Sequence, residues 1–294
     1  PGDVVRTSFL NHNDLGFGRD MYCYTNPGNG NVACYVTNYG LPDQALGNAD
    51  LAHAAVTADA VATVAMEYSP LPGGGDKVVK FYVYDGGEPT SPWRPDANLD
   101  RADNAGSGLK YLPNLCLTCH GGNVPGPDLK SSFREFDLRS FRYPGANPQS
   151  AQEANFKRQN AMVQASRPSF AISDLIERFY GGPTLPSATF DPNALPSGWV
   201  DNTDLYRDVV AESCRTCHVA LPERQTDTAG NAVSSAIDWD SLSDFDGRKA
   251  FIGLLVCDAK AMPNANITFK NFWLSQTPRR SEVLGAYLGR ACPP

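Results

Sequence analysis

The chain contains Cys116-Leu-Thr-Cys119-His120 and, 98 positions later, Cys214-Arg-Thr-Cys217-His218. Both stretches have the pattern C-x-x-C-H. The 294 residues include four histidines, and two of them occupy the last position of this pattern. The repetition of one spacing with one scarce residue indicates that two thiols and an imidazole act together at each site.

The C-x-x-C-H pattern is typical of a covalently attached c-type haem. Its two thiols form thioethers with the vinyl groups at one edge of the porphyrin, and the histidine that follows them lies under the iron as the proximal ligand. The sequence therefore predicts two covalently attached haem c groups. The predicted attachment residues are Cys116, Cys119, His120, Cys214, Cys217 and His218, and His120 and His218 are the predicted iron ligands among them.

Two other interpretations of C-x-x-C fit the sequence less well. A zinc knuckle uses two such pairs as four thiolates, but it requires no histidine after each pair, and here the pairs are 98 residues apart. A thioredoxin-like dithiol usually occurs once, at the start of a helix in a βαβ unit, and neither motif has such surroundings. Haem attachment is the favoured interpretation.

Residues 1–110 contain no such motif and are predicted to be β-rich. Strands are predicted at Val32–Thr37, Val61–Tyr68 and Val78–Tyr84, and the last two flank a Pro- and Gly-rich breaker, so they form a hairpin. Alanine and leucine at helical spacing predict a helix over Asp43–Ala58. A long loop is predicted from Gly86 onward, where Pro, Asp and Asn are frequent.

The remainder of the chain is predicted to be mainly helical, which makes the fold class α+β. Helices are predicted at Ala151–Ala165 and Ser169–Tyr180, and the proline-rich run 183–198 marks a boundary. We therefore divide the chain into a β-rich N-terminal region (1–110), a first haem region (111–195) and a second haem region (196–294).

The second haem region has a regular order of elements. A helix capped within Asp201–Asp204 leads into Cys214, and further helices are predicted at Asp246–Val256, Ile267–Leu274 and Ser281–Gly289. Helix, C-x-x-C-H, loops, a methionine-bearing segment and a terminal helix follow one another as in a small c-type cytochrome, and this region resembles that family. The first haem region resembles it only through Cys116, Cys119 and His120.

The resemblance implies a periplasmic or extracellular location, because c-type thioethers are made outside the bacterial cytoplasm. The remaining cysteines fit that location: a disulfide between Cys23 and Cys34 would close a turn-forming run, and one between Cys257 and Cys292 would fix the C-terminal end. The alternative is that these four cysteines are free, buried thiols. The chain opens on no leader sequence, so we interpret it as the mature product after signal removal. It also contains no apolar run of about 18 residues that could span a bilayer.

Met262 is the predicted distal ligand of the second haem. It lies in Ala261-Met-Pro-Asn264, just before an aromatic-rich helix, and this setting resembles the Met-Pro segment of small c-type cytochromes. Proline fixes the backbone there and suits a rigid loop that presents a thioether to iron. Ordinary core packing is the alternative role for this methionine.

The distal ligand of the first haem is left open by the sequence. Met21 is the leading candidate, because Leu15–Cys23 is expected to be a glycine-flexed loop that Cys23 could fix in place. The alternatives are His12, Met162, Met66 and His53, or a site that is open or filled by a partner. Cationic residues also flank the motifs (Lys130, Arg134, Arg139, Arg142 and Arg215), but such side chains are usually solvated and none is assigned a role.

The net charge of −7 and a pI near 5.1 argue against nucleic-acid partners and anionic membrane surfaces, and suit a basic redox protein partner. The sequence thus predicts a dihaem c-type cytochrome that carries single electrons, rather than an enzyme. The alternatives are a dihaem peroxidase or oxidase, which needs a vacant iron position beside an acid or base, and a haem subunit of a larger electron-transfer assembly that docks through residues 1–110.

Overall fold

The computed structural model describes residues 3–41, 47–85, 101–102, 110–124 and 128–293. The loop predicted from Gly86 onward and the first part of the helix predicted over Asp43–Ala58 lie largely outside these residues. Within them, an antiparallel sheet precedes a series of helices, and the predicted α+β class is confirmed. No helix in the described ranges is long and apolar enough to cross a membrane.

Six strands form the main sheet. The strands of the chain are β1 (Val5–Asn11), β2 (Gly18–Thr25), β3 (Val32–Tyr39), β4 (Ala60–Pro70), β5 (Lys77–Asp85), β6 (Arg101–Ala102), β7 (Lys110–Tyr111), β8 (Phe141–Arg142), β9 (Gln225–Thr226) and β10 (Ala232–Val233). The sheet has the order β5-β4-β3-β2-β1-β8, with β6–β7 and β9–β10 as two separate ribbons. The predicted β4–β5 hairpin and the predicted strand at β3 are confirmed.

The expected loop over Leu15–Cys23 is wrong, because most of it is strand β2, paired on both sides. Gly18 is required by a close approach and not by loop flexibility: a Cβ there would collide with the backbone carbonyl of Asn48. The predicted pairing of Cys23 with Cys34 is confirmed, since the two residues lie opposite each other on β2 and β3 and form a disulfide.

The two faces of the sheet differ in polarity because strand side chains alternate between faces. One face carries buried apolar residues, such as Val36, Met66 and Val79, and contributes to a hydrophobic core. The opposite face packs against the helix Gly47–Ala54, where Arg6 donates to the carbonyl of His53 at 2.9 Å.

Ten α-helical segments are described: α1 (Gly47–Ala54), α2 (Asn114–His120), α3 (Gln149–Ala165), α4 (Phe170–Phe179), α5 (Thr203–Leu205), α6 (Arg215–His218), α7 (Leu242–Asp246), α8 (Lys249–Ile252), α9 (Asn266–Trp273) and α10 (Arg280–Leu288). Two π-helical segments, 206–214 and 253–258, continue α5 and α8. Short 3-10 turns occupy Thr57–Asp59 and Leu138–Ser140.

The predicted helices at α3, α4, α9 and α10 are confirmed, as is the helix that leads into Cys214, capped by Asn202. The helix predicted over Asp246–Val256 is interrupted instead. The side chain of Ser241 accepts a hydrogen bond from the amide of Asp244 and starts α7 earlier, and α7 ends at Asp246, before α8 begins at Lys249. The predicted Cys257–Cys292 disulfide is also confirmed.

The chain passes from one hydrophobic core to a second near residue 195. The first contains the apolar face of the sheet together with α3 and α4, and the second is built from residues after 195. Val219 and Ala220 are the exception, because they directly follow the second motif yet pack into the first core. The segment after His218 therefore connects the second motif to the first core.

Candidate functional site at the two cysteine and histidine motifs

Both motifs lie on helical turns. The first occupies the end of α2, and the second begins at Cys214, where the π-helical segment ends, and continues through α6. Residues three apart on a helix share a face. Each local fold therefore presents its two thiols toward the same side, with the histidine at the next position.

The two motifs contact each other. Sγ of Cys119 lies 3.8 Å from Sγ of Cys217. Directly after the first motif, the amide of Gly122 donates to the carbonyl of Pro222 at 2.8 Å. Two sites far apart in the sequence are thus neighbours in the fold.

Both motif histidines are held by backbone carbonyls. Nδ1 of His120 lies 2.9 Å from the oxygen of Ser132, and Nδ1 of His218 lies 2.8 Å from the oxygen of Ile237. Burial lowers the pKa of each histidine to about 4, although the carbonyl contacts oppose this shift. A neutral imidazole that donates through Nδ1 keeps the Nε2 lone pair for a metal ion.

Aromatic rings also contact these histidines. The ring of Trp239 stacks on His218 with a centroid separation of 3.5 Å and an interplanar angle of 8°, and Phe81 meets His120 edge-on at 5.4 Å. The carbonyl contacts and the rings together restrict the rotation of both imidazoles.

The four motif cysteines are outside the disulfides. Burial raises the pKa of Cys116 and of Cys214 to about 12, and contact with Cys217 together with burial raises the pKa of Cys119. The same contact with Cys119 lowers the pKa of Cys217.

The arrangement of ligand atoms disfavours a zinc knuckle. Among the described residues, one set of three metal-binding side chains has its ligand atoms within 4.8 Å of one another, and it consists of Asp238, Asp240 and Asp244. That set contains no cysteine or histidine. The four thiols contact one another only through the Cys119–Cys217 pair.

An apolar cavity of about 420 Å³ adjoins the second motif. Cys214, Cys217 and His218 line it, and so does Met262. Cavities of about 300–1,000 Å³ are typical of small-molecule and cofactor sites. The structure therefore brings the predicted proximal and distal residues of the second site to the wall of a single cavity.

The side chains around this cavity fit a large, flat and mainly apolar group with a polar edge. Phe251 and Leu255 line the cavity and are nevertheless 60% and 39% exposed. Nε1 of Trp239 is buried without a hydrogen-bond partner in the described part of the chain, and Arg248 lies on the same wall. These two donors suit carboxylates, so the residues present fit a haem with its propionates.

The first motif lies beside the apolar face of the sheet. Phe81, whose ring touches His120, is on β5 at the edge of the sheet, and Met66 lies directly opposite it on β4. Met21 is two strands farther away, on β2, and Met162 packs against the same core from α3. Met66 is thus one strand away from the ring that touches His120, and Met21 is three strands away from it.

The two remaining histidines lie elsewhere. His53 is on α1, where its Nδ1 is 3.2 Å from Oγ of Ser8, so the backbone of the sheet separates it from the apolar face. His12 is in the turn after β1, where Asn271 donates to its carbonyl at 3.1 Å. Burial and the nearby charge of Arg142 lower the pKa of His12.

Sequence reasoning missed the role of Arg215, the second residue of the second motif. Its side chain is buried and forms an ion pair with Asp137, lies 3.6 Å from Glu135, and donates to the hydroxyl of Tyr206 at 3.0 Å. Burial raises the pKa of Asp137, but the cations Arg215 and Arg139 outweigh that effect and hold it below its ordinary value. The sequence signal that could have revealed this role is the acidic pair Glu135 and Asp137, which follows the first motif.

Comparison of the chain with protein-family models finds no match, and comparisons with curated proteins and with solved structures find none either.

Proposed function

We propose that this protein is a dihaem c-type cytochrome that carries single electrons between redox protein partners outside the cytoplasm. One observation carries the proposal: an apolar cavity has two free thiols and a carbonyl-anchored neutral histidine on its wall, and Met262 on the same wall. Thiols, imidazole and thioether are the groups that a His/Met-ligated haem c requires.

When bound, each haem supplies an iron that takes up and releases one electron. The protein residues hold it and set its environment. His218 and His120 present Nε2 because their Nδ1 atoms are engaged by carbonyls. Buried apolar residues of the cavity wall, such as Ile252 and Val256, exclude water, and low polarity and thioether ligation are both means by which proteins tune haem potentials.

For the first haem, the strand register supports Met66, one of the alternatives to Met21, as the distal ligand. It shares a row across the sheet with Phe81, which touches His120, and its side chain is buried in the first core. Met21 remains a candidate on the same face, whereas the sheet lies between His53 and this face.

The two disulfides are compatible with an oxidising compartment outside the cytoplasm. The acidic net charge suits a basic redox partner, because complementary charge steers association.

The test is the optical spectrum and haem content of protein produced in a host that attaches c-type haem. Two haems per chain, both low-spin and indifferent to carbon monoxide and peroxide, are expected. A colourless chain of unaltered mass would refute haem attachment. A high-spin haem that binds either ligand would instead refute the electron carrier and favour a peroxidase or oxidase.

Met262 gives a sharper test of the second site. Met262→Leu keeps an apolar side chain but removes the sulfur, so one haem should become high-spin while both haems stay attached. Met262→His should restore low-spin ligation with a lower potential, since methionine ligation favours the ferrous state. An unchanged spectrum in Met262→Leu would exclude Met262 as the ligand.

A further inference from the structure

The two motifs contact each other through their second cysteines. Cys119 and Cys217 place their sulfur atoms 3.8 Å apart, which is van der Waals contact. In C-x-x-C-H both sulfurs bond to the porphyrin edge. The attachment edges of the two sites therefore face each other across one non-bonded gap.

Two hydrogen bonds of Ser169 help to hold this approach. Ser169 donates through Oγ to the carbonyl of Val219 at 2.8 Å, and its amide donates to Oγ of Ser132 at 2.9 Å. The carbonyl of Ser132 is the partner of His120. A short chain of hydrogen bonds thus ties the first histidine to the segment that follows the second one.

Gly121 permits the contact. It follows His120 with a φ of +64°, and a Cβ at this position would collide with the backbone carbonyl of Ala220. Because the obstacle is backbone rather than a flexible side chain, a larger residue must push the two motif segments apart. In addition, Thr118 of the first motif lies on the wall of the second cavity.

We infer that Cys119 and Cys217 join the two haem sites into one electronically coupled pair, and that Gly121 is the residue that allows the coupling. This inference rests on the proposed haem attachment. An electron at one site then reaches the other through the two thioether sulfurs and a single gap, so the two irons act as one relay and not as two independent carriers.

The experiment examines the oxidised protein by Soret-region circular dichroism and by electron paramagnetic resonance. The protein with two haems per chain should give a bisignate Soret signal and a resonance spectrum that differs from the sum of two isolated low-spin haems. Reduction of one haem should abolish the bisignate signal. Gly121→Ala should weaken both signatures severalfold while retaining two haems.

Gly289→Ala is the matched control. Gly289 has a similar φ of +67°, although its ψ of 29° differs from the −176° of Gly121, and nothing lies within 4 Å of the position a Cβ would take. The variant Gly289→Ala should keep both the bisignate Soret signal and the non-additive resonance spectrum. If Gly121→Ala fails to fold, the unmodified protein still decides the matter: two haems per chain with purely additive spectra would overturn the coupling and leave the proposed function intact. Fewer than two haems would refute the proposed function itself.

Discussion

The buried guanidinium of Arg215 connects the segments that carry the two motifs, and its removal is expected to destabilise the whole protein. Arg215 is 5% exposed, and it bonds to Asp137 and Tyr206 and lies 3.6 Å from Glu135. Both carboxylates follow the first motif, whereas Arg215 lies inside the second. Arg215→Ala leaves two buried negative charges with fewer partners.

The magnitude follows from distance and burial. At 3.6 Å and an effective dielectric constant of about 20, the attraction between Arg215 and Glu135 is about 4–5 kcal/mol before desolvation is subtracted. In the variant, Asp137 still accepts a hydrogen bond from the amide of Arg139 at 3.0 Å, and Oε2 of Glu135 still forms an ion pair with Nε of Arg134 at 3.2 Å. Removal of one partner from a buried ion pair costs about 3–5 kcal/mol. Because these partners remain, we expect Arg215→Ala to lower the free energy of unfolding by about 3 kcal/mol, the lower end of this range.

Urea unfolding of the haem-loaded protein, followed by far-ultraviolet circular dichroism, measures this loss as a change in the free energy of unfolding. Arg178→Ala is the matched control: its ion pair with Asp174 spans one helical turn, and the arginine side chain is 50% exposed. Such a pair contributes at most about 1 kcal/mol.

A loss below about 1 kcal/mol for Arg215→Ala, or one no larger than the control, would refute the reasoning from the buried ion pair. The pH dependence gives a second check. Asp137 has a lowered pKa in the folded state, so its contribution is present above its unfolded pKa and is lost as pH falls through the folded value. The difference between Arg215→Ala and the original protein should therefore shrink in acid.

Three further outcomes are expected. Met66→Leu should turn the first haem high-spin in the optical spectrum while Met21→Leu leaves it low-spin; the reverse pattern would assign the ligand to Met21. Burial raises the pKa of Asp238 to about 7, so the free energy of unfolding should fall by about 1–2 kcal/mol as pH rises from 4 to 8. In Asp238→Asn the free energy of unfolding should depend less steeply on pH, and an unchanged pH dependence would contradict Asp238 as the cause. Replacement of both Cys257 and Cys292 by serine opens a 35-residue loop and should cost about 2–4 kcal/mol in urea unfolding, whereas a loss below about 1 kcal/mol would count against a structural role.

The helical half of the fold was predictable because its signals are local. Ser169, for example, accepts the amide of Ile172 and starts α4 where an amphipathic pattern begins. Strand β2 was not, since Gly16 and Gly18 suggested a loop. The strand is stabilised by pairing with β1 and β3 and by the contact of Gly18 with α1, and none of these partners is adjacent in the sequence.

The sequence by itself identified the six predicted attachment residues, because two thiols and an imidazole at fixed spacing form a local chemical unit on one helical turn. Only the tertiary structure placed Met262 and His218 on one cavity wall and brought Cys119 to Cys217. It also turned Arg215 away from solvent toward Asp137. These contacts join residues far apart in the chain, and they depend on how the two cores pack together, which no local pattern encodes.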